Sequence, residues 1–95
     1  MEFEWDEAKA ETNLRKHGVA FEDAVRVFFD PLALREQDRI VDGEERWQIT
    51  GTLDGFQLVV VAHTTRDGPD GGEIIRIISA RKAERHERRR YEDGT

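Results

Sequence analysis

Cysteine is absent from this 95-residue chain, so neither a disulfide framework nor a thiolate metal site is available, and a reducing cytoplasm is the expected setting. Proline occurs only twice, and no window stays apolar long enough to span a bilayer, so no membrane association is expected. The opening MEFEWDEAKAE is acidic where a secretory signal would be apolar. His17, His63 and His86 are scattered, with no HxH or HExxH spacing, and P-loop and GxGxxG runs are missing. No metal and no cofactor is therefore expected. At this length residues 1–95 are read as one domain.

The net charge of −6 argues against nucleic acid only until its distribution is considered. The first thirty residues hold eight acids against four bases, whereas residues 81–91, RKAERHERRRY, hold six of the fifteen Lys and Arg residues against Glu84 and Glu87. An acidic body with a basic end can present phosphate with a local positive surface. A solvated charged helix gives the same pattern.

Asp6 stands in an N-cap position before EAKAETNLRKH, a run of strong helix formers stopped by Gly18, which sets a helix over roughly 6–17. FEDAVRVFFD places Phe21, Val25 and Phe28 on one stripe before Asp30-Pro31 ends a second helix. LALREQDR after Pro31 reads as a charged edge strand. A last helix is expected from about Lys82 to Tyr91. Together these give an α+β fold of two N-terminal helices, an antiparallel sheet of three to four strands and a C-terminal helix.

Residues 46–81 dominate the functional reading, because Asp54-Gly55 is a strong two-residue hairpin signal and DGPDGG at 67–72 supplies a second turn. A two-residue loop pairs Leu53 with Phe56 and sets Arg46 opposite His63. Symmetric closure of the second loop pairs Arg66 with Glu73 and sets His63 opposite Arg76. Arg46, His63 and Arg76 then form one cross-strand row, with neighbouring Cβ atoms about 5 Å apart. On this register Trp47, Ile49, Leu53, Phe56, Leu58, Val60 and Ala62 share the core face with Ile75 and Ile77. A β-bulge in either hairpin would turn one member of the row to the other face.

Metal-free RNA cleavage needs a base for the 2′-hydroxyl proton, an acid for the leaving 5′-oxygen, and cations around the phosphorus. An imidazole between two guanidinium groups fits that need, since the flanking charges favour its neutral form. Arg46 and Arg76 would grip phosphate oxygens. An exposed Arg and His row is also a common solvated surface. Trp5 and Trp47 fall where core anchors are wanted. Tyr91 shares a helix face with Glu87 and serves either as an anchor or as a substrate contact. His17 is expected to finish a helix end.

The stretches FEWDEAKAETNLRKHGVAFEDAVRVFFDP, ERW and RIISARKAERHERRRYE closely resemble the BrnT family of bacterial ribonuclease toxins over roughly residues 3–92. The most specific parts are the FEWDxxKxxxNxxKHGVxFEDA opening and the RIISARKAxxxERRxYE close. The resemblance implies a RelE-like fold and a cytoplasmic type II toxin whose RNA cleavage arrests translation and growth. It further implies a BrnA-like ribbon-helix-helix antitoxin as partner, with operator DNA reached only through that antitoxin. The candidate site residues are His63, Arg46 and Arg76 for catalysis, and Arg81, Lys82 and Tyr91 for RNA binding. Ala20 departs from the pattern, which usually has a hydroxyl cap there; its loss should cost about 1 kcal/mol of stability. Two other readings remain: a noncatalytic module that binds antitoxin or nucleic acid, and a RelE/ParE-like toxin with a non-RNA target such as a topoisomerase.

Overall fold

In the computed structural model, which describes residues 1–94, a short first strand, β1 (Glu2–Glu4), runs straight into helix α1 (Glu7–His17). The Asp6 carboxylate accepts the Lys9 amide at 3.1 Å, satisfying one of the orphan N–H groups of the first turn, and α1 stops at Gly18. The second helical segment begins as α2 (Phe21–Ala24), then tightens into a 3₁₀ turn over Val25–Phe29. As expected from Ala20, α2 has no side-chain cap.

Four antiparallel strands follow, β2 (Leu34–Val41), β3 (Glu44–Thr52), β4 (Leu58–Asp67) and β5 (Glu73–Lys82), before the final helix α3 (Arg85–Asp93). The sheet order is β1-β5-β4-β3-β2, with β1 parallel to β5. The sheet is therefore five-stranded and mixed, which corrects the expected three to four antiparallel strands. The missing strand is three residues long, and its partner lies some seventy positions away, so no local turn signal marks it.

Two layers cover the sheet. On one face Val19, Phe21, Ala24 and Val27 pack against Ile49, Val59, Val61, Ile75, Ile77 and Ala80, each side chain removed from water contributing roughly 1.5–3 kcal/mol if of Val size or larger. Gly51 permits the close approach of this layer, because a Cβ there would meet Val27 Cγ1 at 3.1 Å and Ala33 Cβ at 3.1 Å. On the other face α3 is held by Arg81–Glu87 and Arg90–Glu36 ion pairs, above buried Leu58, Val60 and Thr50.

The expected core face is thus half right. Trp47 and Ile49 do face the two N-terminal helices, but β4 contributes Val59, Val61 and His63 there in place of Leu58, Val60 and Ala62. Phe56 is 88% exposed.

Asn13 ties α1 to the sheet. It is buried, its amide nitrogen donates to the carbonyls of Ala80 (2.8 Å) and Val19 (3.0 Å), and its oxygen accepts the Ala80 amide (3.1 Å). The side chain replaces a neighbouring strand where β5 has none, since β1 pairs no further than Arg76. Asn13→Ala is expected to cost about 2–3 kcal/mol in urea unfolding, because the Ala80 amide and two carbonyls lose their partner in a dry site. A loss below about 0.5 kcal/mol would show that water replaces the amide.

Candidate functional site

The row of Arg46, His63 and Arg76 does not form. Asp54 Oδ1 accepts the amides of both Phe56 (3.1 Å) and Gln57 (3.2 Å), and the Leu53 amide reaches the Gln57 carbonyl at 3.2 Å. The loop therefore holds three residues, Asp54, Gly55 and Phe56, with Gly55 at φ 93°. His63 accordingly pairs with Trp47, not Arg46. The second loop also differs by one residue: Asp67 pairs with Glu73, and Thr64 with Arg76. A bulge then leaves Ile78 unpaired, since Ala62 pairs with Ser79 and His63 with Ile77.

Both slips move the same position, so Thr64 replaces His63 beside Arg76, and continuing the β3–β4 register by one residue sets Arg46 beside Thr64. Arg46, Thr64 and Arg76 share the α3 face, while His63 lies behind the sheet with 0% exposure. Its Nδ1 meets the Val61 carbonyl at 3.1 Å and its ring meets Phe28 edge-on at 4.9 Å. Burial, opposed by the Val61 contact and assisted by the Arg35 charge, pushes the imidazole down from 6.5 to about 4. It is a neutral core residue.

Two buried donors or acceptors lack a partner among the described residues, Arg46 Nε and His63 Nε2, and they mark opposite faces. On the helix side a cleft of about 500 Å³ is lined by Arg35, Glu44, Glu45, Trp47, Thr65 and Glu73. Arg35 is bound to Glu73 at 2.9 Å, so three glutamates outweigh one committed arginine and phosphate is repelled.

On the α3 face three arginines, Arg46, Arg66 and Arg76, stand with two carboxylates, Glu4 and Glu44. Glu4 accepts from Arg66 (2.7 and 3.1 Å) and from Arg76 (2.9 Å), and those hydrogen bonds, Arg66 first, hold its carboxyl below the usual range. Arg46 Nε stands 3.7 Å from Glu44, beyond hydrogen-bond reach. Gln48, Ala62 and Ser79 form a half-buried row between Arg46 and the β5 edge.

Of the remaining expected residues, Arg81 and Tyr91 hold structural posts. Arg81 donates two 2.8 Å bonds to Glu87, which is 4% exposed and also accepts the Glu84 amide in a capping box. Arg81 pulls the Glu87 carboxyl down despite its burial. Tyr91 donates to Asp30 Oδ2 at 2.7 Å, joining α3 to the end of the 3₁₀ turn. Burial works to raise Asp30, but Tyr91 and Thr52 hydrogen bonds prevail and keep it ionised. These two are fold anchors, and Lys82 is exposed at the end of β5. Glu4 was missed because a lone acid near an N-terminus carries no sequence signal.

A family model for the ribonuclease toxin BrnT of type II toxin-antitoxin systems matches residues 5–87. The chain belongs to the BrnT family. Among solved structures, the Brucella abortus ribonuclease toxin BrnT superposes with a TM-score of 0.66 at 29% identity, covering 90% of this chain and 99% of that one. Among curated proteins no match is found. BrnT membership implies an antitoxin partner for this chain, and none of its described helices is long and apolar enough to cross a membrane.

Acid stability tests the burial of His63. The unfolded chain takes up a proton near pH 6.5 that the folded chain refuses until about pH 4, so stability is complete above the first value and falls as pH drops toward the second. The full difference is on the order of 3 kcal/mol. His63→Leu should flatten this part of the profile in denaturant titrations between pH 4 and 7. An unchanged slope would place the imidazole in water.

Proposed function

We propose that this chain cleaves RNA on the α3 face without a metal, by attack of the ribose 2′-hydroxyl on the adjacent phosphorus. The observation that carries the reading is Arg46, whose Nε is buried without a hydrogen-bond partner on the cationic side of the sheet. A guanidinium N–H left without a hydrogen bond in a partly dry site is costly to keep, and the loosely held group, 3.7 Å from Glu44, suits a phosphate oxygen. Arg76 faces it across Thr64 and takes a second oxygen. The two guanidinium groups neutralise charge that gathers on phosphorus as the pentacoordinate state forms.

Glu4 takes the 2′-hydroxyl proton in this scheme. Arg66 and Arg76 keep it ionised and fix its orientation. The new bond joins the 2′-oxygen to phosphorus, the bond to the 5′-oxygen breaks, and the departing 5′-oxygen is protonated from water. The products are a 2′,3′-cyclic phosphate and a 5′-hydroxyl. His63 has no part in the chemistry, Lys82 contacts flanking phosphate, and Arg81 and Tyr91 hold the face in shape.

The wider reading is a RelE-like toxin domain acting in the cytoplasm to stop translation, restrained by a BrnA-like ribbon-helix-helix antitoxin that alone contacts operator DNA. The family description supports ribonuclease action over a topoisomerase target or a noncatalytic module.

Purified protein incubated with naked RNA in chelator should yield 2′,3′-cyclic phosphate ends. Arg46→Ala should slow that cleavage about 100-fold, the scale of one lost oxyanion-type donor, with thermal unfolding little changed. Full activity in Arg46→Ala, or loss of activity in chelator, contradicts the mechanism.

A further inference from the structure

The opening motif has polar positions that neither the core nor the α3 face explains, namely Lys9, Lys16 and His17. They converge on a groove of about 330 Å³ between α1 and the outer edge of β5, completed by Ala8, Thr12, Asn13, Ile78 and Ser79. Two lysines, a histidine and two hydroxyls line it, with no carboxylate. In a chain of net charge −6 this grouping is a local reversal of sign. Lys9 and Lys16 are both solvent-exposed and form no ion pair among the described residues.

The groove owes its shape to two features of the fold. Because β1 pairs β5 only as far as Arg76, the outer edge beyond it is free of any strand, and Asn13 ties α1 there through Ala80. The Ile78 bulge then lets Arg76 and Ser79, three positions apart, both turn to the α3 face. Ser79 consequently belongs to both places. It lines the groove, and it ends the Gln48-Ala62-Ser79 row that starts beside Arg46. From β3 to β5 is two strand spacings, roughly 10 Å.

We infer that the α1–β5 groove is a second phosphate-binding subsite, which seats the RNA backbone flanking the cleaved bond after the strand has crossed the small side chains of Ala62 and Ser79. Lys9 and Lys16 supply the charge and the Ser79 hydroxyl donates to a phosphate oxygen, while the Thr12 hydroxyl, which donates to the Ala8 carbonyl at 3.0 Å, shapes the wall. The C-terminal end of α1 carries the unfavourable end of the helix dipole for an anion, and the two lysines offset it. Binding therefore depends on these side chains and not on the helix itself. The inference rests on the cleavage reading, and it extends the substrate contact around the sheet edge.

The test uses a 2′-O-methylated single-stranded RNA oligonucleotide, which cannot be cut by the proposed route, with binding followed by fluorescence anisotropy across a salt series. The Lys9→Ala/Lys16→Ala variant should bind at least about 10-fold more weakly than wild type, and its log–log salt slope should shrink by about 0.7 for each phosphate contact removed. Arg15→Ala removes a charge from the same helix outside the groove and should leave both quantities unchanged. Equal binding by wild type and the double variant, while wild type still cleaves unmodified RNA, overturns the groove alone. So does an equal loss in Arg15→Ala, which would make the effect one of total charge. If wild type neither binds nor cleaves RNA, the cleavage reading falls and the groove with it.

Discussion

One carboxylate decides which side chains this sheet offers to a ligand. Asp54 Oδ1 accepts two successive amides, and in doing so enlarges the hairpin loop from two residues to three. A one-residue change in register carries every following side chain of β4 to the opposite face. Thr64 and not His63 therefore stands with the arginines, and an imidazole that alternation would have exposed becomes a neutral part of the core. The carboxylate itself is held below its usual range by the Gln57 and Phe56 amides, which keeps the loop charged and closed at neutral pH.

The rest of the molecule shows how a small acidic protein keeps a basic surface without losing stability to repulsion. Three arginines are clamped by carboxylates from other elements, Arg66 and Arg76 by Glu4 of β1 and Arg81 by Glu87 of α3. The exposed Arg66–Glu4 pair contributes little stability. The effect of the clamps is orientation, since a guanidinium held by one acid on one side presents its remaining N–H donors in a fixed direction. Arg46 is held more loosely, with its buried Nε 3.7 Å from Glu44 and without a hydrogen bond among the described residues.

Much of the architecture was legible in the sequence. Asp6 and Gly18 bound α1 as expected, Asp30-Pro31 ends the second helical segment, and the β3–β4–β5 meander follows its turn residues. The register errors come from the turns. Asp54-Gly55 and the Gly-rich 67–72 segment declare where a turn falls but not how many residues it contains, and the Ile78 bulge has no local signature at all. Of the six candidate residues, Arg46 and Arg76 reach one open face, Arg81 and Tyr91 are committed to Glu87 and Asp30, Lys82 is exposed at a strand end, and His63 is interred. Side-chain commitments of that kind depend on partners 6 to 61 positions away, which spacing does not encode.

The most direct measurement is a side-chain NMR titration with uncleavable RNA, comparing the two faces of the sheet in one sample. The arginine Nε–H signals of Arg46 and Arg76 should shift and sharpen as phosphate binds, while the Trp47 indole and the His63 ring stay where they are. Shifts centred on Trp47, Arg35 and His63, with both arginine signals unmoved, would put the substrate on the helix side and contradict the assignment of the functional face.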